Sequence, residues 1–580
     1  MLRGETPRVF PGFVVDFVNS CEEFRSIAAH VACYAEKHAW GALEADSLQS
    51  WLPELTRSRL LISTADLLAA CAAHAAPAPP PIQTIGFPTG GDRSDLVARA
   101  LGSFAENARI HGRRVDFLVA DSSADPRHRA AFREASREQA KSHGVRVRYA
   151  GDEEKRRLAA KLIRRGIAPD VIEFALFDPL GIGFACGANR NALLLHEAGR
   201  MFCSVDDDVI CKLASAPPTA ARLKLFSSCD PFTRWLFADR EAAIQHAGSV
   251  DADFLASHET LLGRGLAELC AGVDPRSLDA SQIGDDFLRR AWTGGGLVRA
   301  SFSGHLGDPG IPTSTYYLFY EGENRRRFTA DEAGYRAALA ARSVFALAPC
   351  TAIGDASTSP GMAMGLDHRE LLPPFFPVLH AEDFTYGATL WQTVPGAFLG
   401  HAPLAVRHEP RPGKTILQPS DLGPERRAVV FEFSHLIRRI ILRHHRHETA
   451  APADRMRHLG RHLVTLGTQS AADFADYLAT QVLEMESEKL CDLEEMLREN
   501  SAAPEWWRAD LDRYLLHVRS ALMHDDFDIP FDLKCRGKAE DVRGLIRALL
   551  SRYGALLEAW PDLVAAATEI DAAIEWMPAV

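Results

Sequence analysis

The strongest constraint on this chain is an alternation between residues 82 and 150. Ile82-Gln83-Thr84-Ile85-Gly86-Phe87 is a short β-rich run stopped by Pro88. Leu96 to Ile110 then carries apolar residues at helical spacing. Arg114 to Ala120 is a second β-rich run, closed by Asp121-Ser122-Ser123. Helical spacing returns from Arg127 to His143, and Val145 to Tyr149 reads as a third strand. This rhythm indicates an α/β fold, a parallel sheet with right-handed crossovers. Such sheets bind ligands beyond the carboxyl ends of their strands. The polar residues there are Thr89, Asp92, Asp121 and Ser122.

At 580 residues the chain outgrows a single core, so two or three domains are expected. Residues 1–74 read as an N-terminal helical region, with Phe17, Phe24, Ile27 and Val31 at helical spacing and Ser63 as a helix cap. Residues 75–81, Ala-Ala-Pro-Ala-Pro-Pro-Pro, read as a stiff extended linker. The α/β domain is expected over 82–415. Residues 416–580 show few strand signals and read as an all-helical C-terminal domain, with helices over Arg426–His445, Ala471–Arg498 and Ala539–Ala567.

Charge and composition exclude several classes of function. Hydrophobic residues make up 47% and charged residues 24%, ordinary for a globular protein. A net charge of −12 disfavours whole-protein attraction to nucleic acid or anionic membrane. Apolar stretches are too short to span a bilayer, and the first residues lack the apolar core of a secretion signal. The expected location is therefore cytoplasmic. The 11 cysteines form no CxxC pair, which argues against a disulfide framework or a cysteine zinc site.

The sharpest local feature is Phe202-Cys203-Ser204-Val205-Asp206-Asp207-Asp208, a short apolar run ending in three carboxylates. Adjacent carboxylates at a strand end repel one another in a low-dielectric site. A hard divalent cation, Mg²⁺ or Mn²⁺, relieves that repulsion and brings substrate phosphates with it. The alternative reading is a solvated acidic turn. Just upstream, Gly187-Ala188-Asn189-Arg190-Asn191-Ala192 leads into a helix that Arg190 is expected to open.

In this order the motifs resemble those of GT-A fold glycosyltransferases, particularly the inverting family 2 type. Pro88-Thr89 matches the end of the first strand, Asp121-Ser122-Ser123 the end of the second, residues 187–192 the Gly-Ala-x-Arg-Asn-x helix, and Ser204 to Asp208 the "DxD" strand. Ser359-Pro360-Gly361-Met362-Ala363-Met364-Gly365 resembles the glycine-containing loop before the acceptor site, and His380-Ala381-Glu382-Asp383 the "xED" motif. The resemblance implies that Pro88 and Thr89 line the nucleoside pocket and Asp121 binds the nucleobase. Arg190 would touch the donor phosphates or stabilise the acidic strand. Asp206 and Asp207 would lie against the nucleotide, with Asp206, Asp208 and His408 as metal ligands and His401 a weaker candidate. Gly361 and Gly365 would let the backbone approach the sugar. Asp383 would be the general base, with Glu382 raising its pKa. The chain departs from the pattern in a charged helix over 151–180, in a long insertion over 212–350, and in Ala120, where a second aspartate is usual.

Other segments carry weaker signals. Ser303-Gly304-His305-Leu306-Gly307-Asp308 reads as a binding loop, and Asp285-Asp286 as a helix cap or exposed pair. The basic cluster Arg438 to His462 reads as a solvated face or a dock for an acidic partner or substrate. Its His458 and His462 are spaced for metal but lack an acidic ligand. Residues 55–63 faintly resemble winged-helix modules that hold precursor peptides. The expected function is metal-dependent transfer of a sugar from a UDP- or GDP-sugar to a soluble acceptor, a peptide or protein side chain, a metabolite or a sugar. The alternatives are a sugar-phosphate nucleotidyltransferase and a non-catalytic nucleotide-sugar-binding or scaffold protein. Oligomeric state is not legible.

Overall fold

The computed structural model describes residues 9–21, 24–40, 42–73, 77–217, 219–227, 229–411, 418–421, 431–446 and 450–570. The chain is a mixed α/β protein built on one sheet. Its strands are β1 (Thr84–Thr89), β2 (Asp116–Asp121), β3 (Val147–Ala150), β4 (Met201–Val205), β5 (Val209–Ala214), β6 (Leu223–Phe226) and β7 (Thr233–Leu236). They continue with β8 (Leu278–Gln282), β9 (Leu297–Gly307), β10 (Val344–Leu347), β11 (Thr351–Gly354), β12 (Ala363–Asp367) and β13 (Ala397–His408). The order is β3-β2-β1-β4-β12-β9-β13-β11-β6-β8, with β10 and β7 joined through β9, and β5 on β13.

The first four strands pair in parallel, as the alternation requires. Each is nearly continuous in burial because helices cover both faces. Period-two alternation divides the side chains. Phe87, Phe117 and Val119 enter one core with Phe104 and Phe132. Leu118 and Ala120 enter the other with Leu158, Leu193 and Phe202. The helices that close these cores are Ser94–Ile110, Pro126–His143, Asp152–Arg164 and Cys186–His196. The last begins four residues before Arg190, so Arg190 lies in its second turn rather than opening it. Gly187 in the first turn lies so close to the Phe376 carbonyl that no side chain fits there.

Beyond β4 the sheet becomes mixed. The segment 212–350, expected as an insertion, supplies strands to the sheet itself. β9 lies between β12 and β13, antiparallel to one and parallel to the other. Ser303 to Gly307, expected as a loop, is the end of β9. A Cβ on Gly304 would run into Leu347, so the glycine serves close strand packing there.

The C-terminal helices Phe433–Arg443, Pro452–Gly467 and Ala539–Glu569 share a core with the sheet: Leu436, Leu459, Leu549 and Trp560 join Phe202 and Met364. Trp560 Nε1 donates to the Leu372 carbonyl (2.7 Å), and Tyr553 OH to that of Pro374 (3.1 Å). These bonds pin the segment that leads to Glu382. The expected 415/416 boundary falls outside the described residues, as do residues 75–76 of the Pro-rich stretch; residues 77–81 form no regular structure.

At the N-terminus, helices Gly12–Ser20, Ile27–Lys37 and Ala42–Arg57 close a small core of their own around Phe17, Tyr34 and Leu55. The fourth, Thr64–Ala72, starts on the expected cap, with Ser63 and Asp66 exchanging hydrogen bonds, and packs through Leu67 and Cys71 on the α/β part. The described residues 9–73 contain no strand, so the winged-helix likeness finds no wing. Among the described residues no helix is long and apolar enough to cross a membrane.

Candidate functional site

β4 ends at Val205, and Asp206-Asp207-Asp208 forms a tight turn into β5, closed by Val209 N–H donating to the Asp206 carbonyl (3.1 Å). The turn sits beside the carboxyl end of β1, the position expected of a ligand site in a parallel sheet. A turn this tight fans three successive side chains apart, and each carboxylate has its own set of partners, with Arg93 shared by two of them.

Asp206 faces Arg190, whose Nη2 donates to its Oδ1 (2.6 Å) and to the Gly361 carbonyl (2.9 Å). Nη1 of the same guanidinium pairs with Glu382, and the group lies over the Phe375 ring. Arg190 is 2% exposed, so it grips the acidic residues from inside. Burial pushes the Asp206 carboxyl up to about 7, with Asp208 and Glu382 adding to the rise and Arg190 opposing it.

Asp207 faces the other way. Thr89 Oγ1 donates to its Oδ2 (2.5 Å), and Arg93 Nε to both its oxygens (2.8 and 3.1 Å). Arg93 Nη2 also reaches Asp208 Oδ2 (2.7 Å). The remaining Asp208 oxygen lies 3.0 Å from His408 Nε2, and His408 Nδ1 donates to the Asp308 carbonyl (2.6 Å). Burial works against charge on both partners. Their mutual hydrogen bond outweighs it, holding Asp208 below the usual carboxylate range and His408 up at about 9.

Asp383 approaches through the helix Glu382–Thr393. Its Oδ2 accepts from Gly361 N (2.6 Å) and its Oδ1 from its neighbour Phe384 N (2.9 Å). A Cβ on Gly361 would lie 2.7 Å from that Oδ2, so glycine here permits close approach of the loop. Burial, then the charge of Glu382, raises Asp383 to about 6. The backbone that aims it is strained: Leu379 and Ala381 have positive φ, as does Phe184, whose ring lies tilted against His380 with centroids 3.6 Å apart. Three of the five described non-glycine residues with positive φ therefore gather at this corner, and such outliers cluster at functional sites.

The structure thus brings together Thr89, Arg190, Asp206, Asp207, Asp208, Gly361, Glu382, Asp383 and His408. It does not bring in the rest. Pro88 is buried within β1. Gly365 lies inside β12 opposite Cys203, where a Cβ would meet Ser301 and His258, so it packs the sheet rather than a sugar. Both oxygens of Asp121 are occupied by Ser123 and Tyr149. His401 stands in β13 among Phe226, Phe232 and Phe302. Asp285 and Asp286 fill the first turn of a helix. Two residues were not expected at the site. Arg93 had a signal only as part of Gly90-Gly91-Asp92-Arg93, a poor match to the glycine-rich signature of sugar-phosphate nucleotidyltransferases. Lys155, buried and pairing with Asn189, is lowered by burial to about 8.

Among the described residues no group of three His, Cys, Asp or Glu side chains converges as a ready metal cage. Asp208 and His408 nevertheless suit a hard cation. Their 3.0 Å separation matches neighbouring ligands about 2.1 Å from a six-coordinate ion. His408 donates its other nitrogen to a backbone carbonyl, the usual support for a metal-binding imidazole. One or two protein ligands, completed by substrate phosphates, is the habit of such ions. No protein-family model matches the chain, and no curated protein matches it in sequence.

Proposed function

We propose that this protein is a nucleotide-sugar-dependent glycosyltransferase of the GT-A type, working on a soluble acceptor such as a peptide, a metabolite or a sugar. One observation carries the reading. Thr89, the Asp206–Asp208 turn, Arg190, Asp383 and His408, scattered over more than half the chain, meet in one charge network at the carboxyl ends of β1 and β4. Asp208 and His408 would hold Mn²⁺ or Mg²⁺, with Asp206 beside them. When bound, the ion neutralises the nucleoside diphosphate leaving group. Asp383, raised to about 6, accepts the proton of the acceptor hydroxyl as it attacks the sugar. Arg190 fixes Asp206, Glu382 and the Gly361 loop, so the base and the carboxylate turn keep one geometry.

Arg93 favours a second reading. A cation after two glycines beyond the first strand, reaching the carboxylates, also suits nucleotidyl transfer onto a sugar phosphate. The experiment is a thermal-shift panel of nucleotides and nucleotide sugars with and without Mn²⁺, followed by product analysis. The first reading expects metal-dependent release of UDP or GDP, lost about a hundredfold or more in Asp208→Ala. Release of pyrophosphate from a nucleoside triphosphate and a sugar phosphate would replace it with the second. No stabilisation by any nucleotide would overturn both.

A further inference from the structure

Most guanidinium groups of this protein that leave water are matched by a carboxylate. Arg190 meets Asp206 at 2.6 Å, Arg543 meets Asp528 at 2.7 Å and Arg113 meets Glu259 at 2.8 Å. Among the described residues several others are matched more loosely, and three of these lie near one another. Arg290 is 7% exposed, yet its carboxylate neighbour Asp355 stands 3.9 Å away and its other contact is the Ala397 carbonyl at 3.4 Å. Arg446, with 16% of its side chain exposed, lies over the Trp391 ring at 4.4 Å, and Asp286 is 4.0 Å away. Arg438 donates to Ser357 Oγ (2.9 Å), while its buried Nε has no hydrogen-bond partner among the described residues. Burying a charge without a close counter-ion is costly, so such a group is a natural receptor for one.

The three stand in one place. Asp355 and Ser357 belong to the loop that runs from β11 to Gly361, whose amide holds Asp383. A Cβ on Gly387, one turn beyond Asp383, would be 2.7 Å from Ser359 Oγ, so this loop packs directly on the base's helix. Trp391 lies eight residues after Asp383 on the same helix, about 12 Å along its axis. Arg290 and Arg446 therefore lie toward the far end of that helix, near the start of β13, and Arg438 meets the loop at Ser357. Burial holds Arg438 below its ordinary pKa; burial, Arg290 and Arg455 together bring Arg446 down to about 10. A nearby anion would relieve both. This patch runs against the chain's net charge of −12.

We infer that the acceptor is anionic, and that its carboxylate or phosphate docks on Arg290, Arg438 and Arg446 while its hydroxyl is presented to Asp383. This rests on the glycosyltransferase reading for the role of Asp383, but the anion site stands on the arginines alone. Planar guanidinium groups suit both anions, because each accepts two parallel hydrogen bonds.

The test titrates the full chain, in EDTA, with fluorescein-labelled triglutamate and with triglutamine, reading anisotropy at low ionic strength. Expected is binding of triglutamate with at least tenfold preference over triglutamine, weakened at least fivefold by Arg438→Gln or Arg446→Gln and lost when the two are combined. Arg446→Lys, which keeps the charge, should retain part of it. Displacement by inorganic phosphate assigns the site to phosphate-bearing acceptors as well; triglutamate that phosphate does not displace assigns it to acidic peptides. Equal binding of the two peptides, or binding unchanged in the double variant, overturns the inference. The Mn²⁺-dependent nucleotide shift, measured on the same samples, reports folding and the donor reading separately. Its loss in the wild type with triglutamate binding intact would sink the donor reading and leave the anion site standing.

Discussion

Arg190 and Arg93 both reach the Asp206–Asp208 turn, from opposite surroundings. Arg190 comes from the core side, with 3% of its side chain exposed, and holds Asp206, Glu382 and the Gly361 carbonyl together. Arg93 comes from the loop after β1, with 38% of its side chain exposed, and its partners have alternatives: Asp207 also takes Thr89, and Asp208 also takes His408. The same chemistry thus serves two ends. A buried guanidinium on buried Glu382 fixes a geometry, because withdrawing it strands charge in a low dielectric. A half-exposed one over partners that can be satisfied otherwise is exchangeable. The turn has one locked side and one open side, and the open side is where a donor's charge would enter.

The locked side gives the largest expected effect. Arg190→Met leaves Glu382 and Asp206 without their cation and should cost about 3–5 kcal/mol. The check is the urea midpoint of the full chain. Arg93→Met should cost much less, its guanidinium being part-exposed; equal losses for the two variants would erase the distinction between the sides.

Asp383 is the next. If it is the base, Asp383→Asn should lower turnover by about a hundred- to ten-thousandfold while nucleotide binding persists. The wild-type rate should climb with pH through about 6 and then level, because the carboxyl must be ionised to accept a proton. A profile flat from pH 5 to 8 would remove Asp383 from that role. Glu382→Gln should move the inflection downward, since its charge contributes to the rise.

The locked and open sides were unequally legible in the sequence. β1, β2 and β3 with their helices follow local periodicity, and the observed spans fall within two residues or so of the expected ones. The carboxylate triplet and Asp383 are visible as short motifs. β9 was not visible as a strand of the sheet. Its Arg299, Ser301, Ser303 and His305 look like surface, and only tertiary partners bury them: Arg299 meets Asp367, and Ser301 and Ser303 meet His258. Arg93 was missed for the same reason, since its carboxylates lie 114 and 115 residues further on. Asp121 shows the opposite case, standing in register beside Thr89 as expected. Its strand-end position was plain, but Tyr149, which takes one of its oxygens, comes from β3.

A third effect reports the open side through pH. The folded state raises His408 from an ordinary value near 6.5 to about 9, so it favours the imidazolium. That stability is fully present below about pH 6.5 and is lost as pH rises through about 9. The shift is worth roughly 3 kcal/mol. The depression of Asp208 comes first from the same contact and is not counted again, with Arg93 adding to it. In EDTA the urea midpoint should therefore fall between pH 7 and 9.5, and His408→Gln should flatten that fall. A fall of the same size in His408→Gln would assign it to other groups.

The smallest expected effect decides whether the open side is exchangeable. Both oxygens of Asp208 are engaged, one by buried His408 and one by Arg93. A cation held by Asp208 and His408 takes the place of the proton those two now share, and the guanidinium on the other Asp208 oxygen opposes its charge. Arg93 would then act as an internal competitor of the ion. Arg93→Gln should lower the Mn²⁺ concentration that half-saturates the protein by a few-fold, corresponding to ~1 kcal/mol or less at an exposed ion pair. The readout is Mn²⁺ binding by electron paramagnetic resonance without any nucleotide, so it is independent of turnover. Weaker Mn²⁺ binding in Arg93→Gln would mean that Arg93 orients Asp208 for the ion instead of competing with it. The open side of the turn would then be as fixed as the Arg190 side.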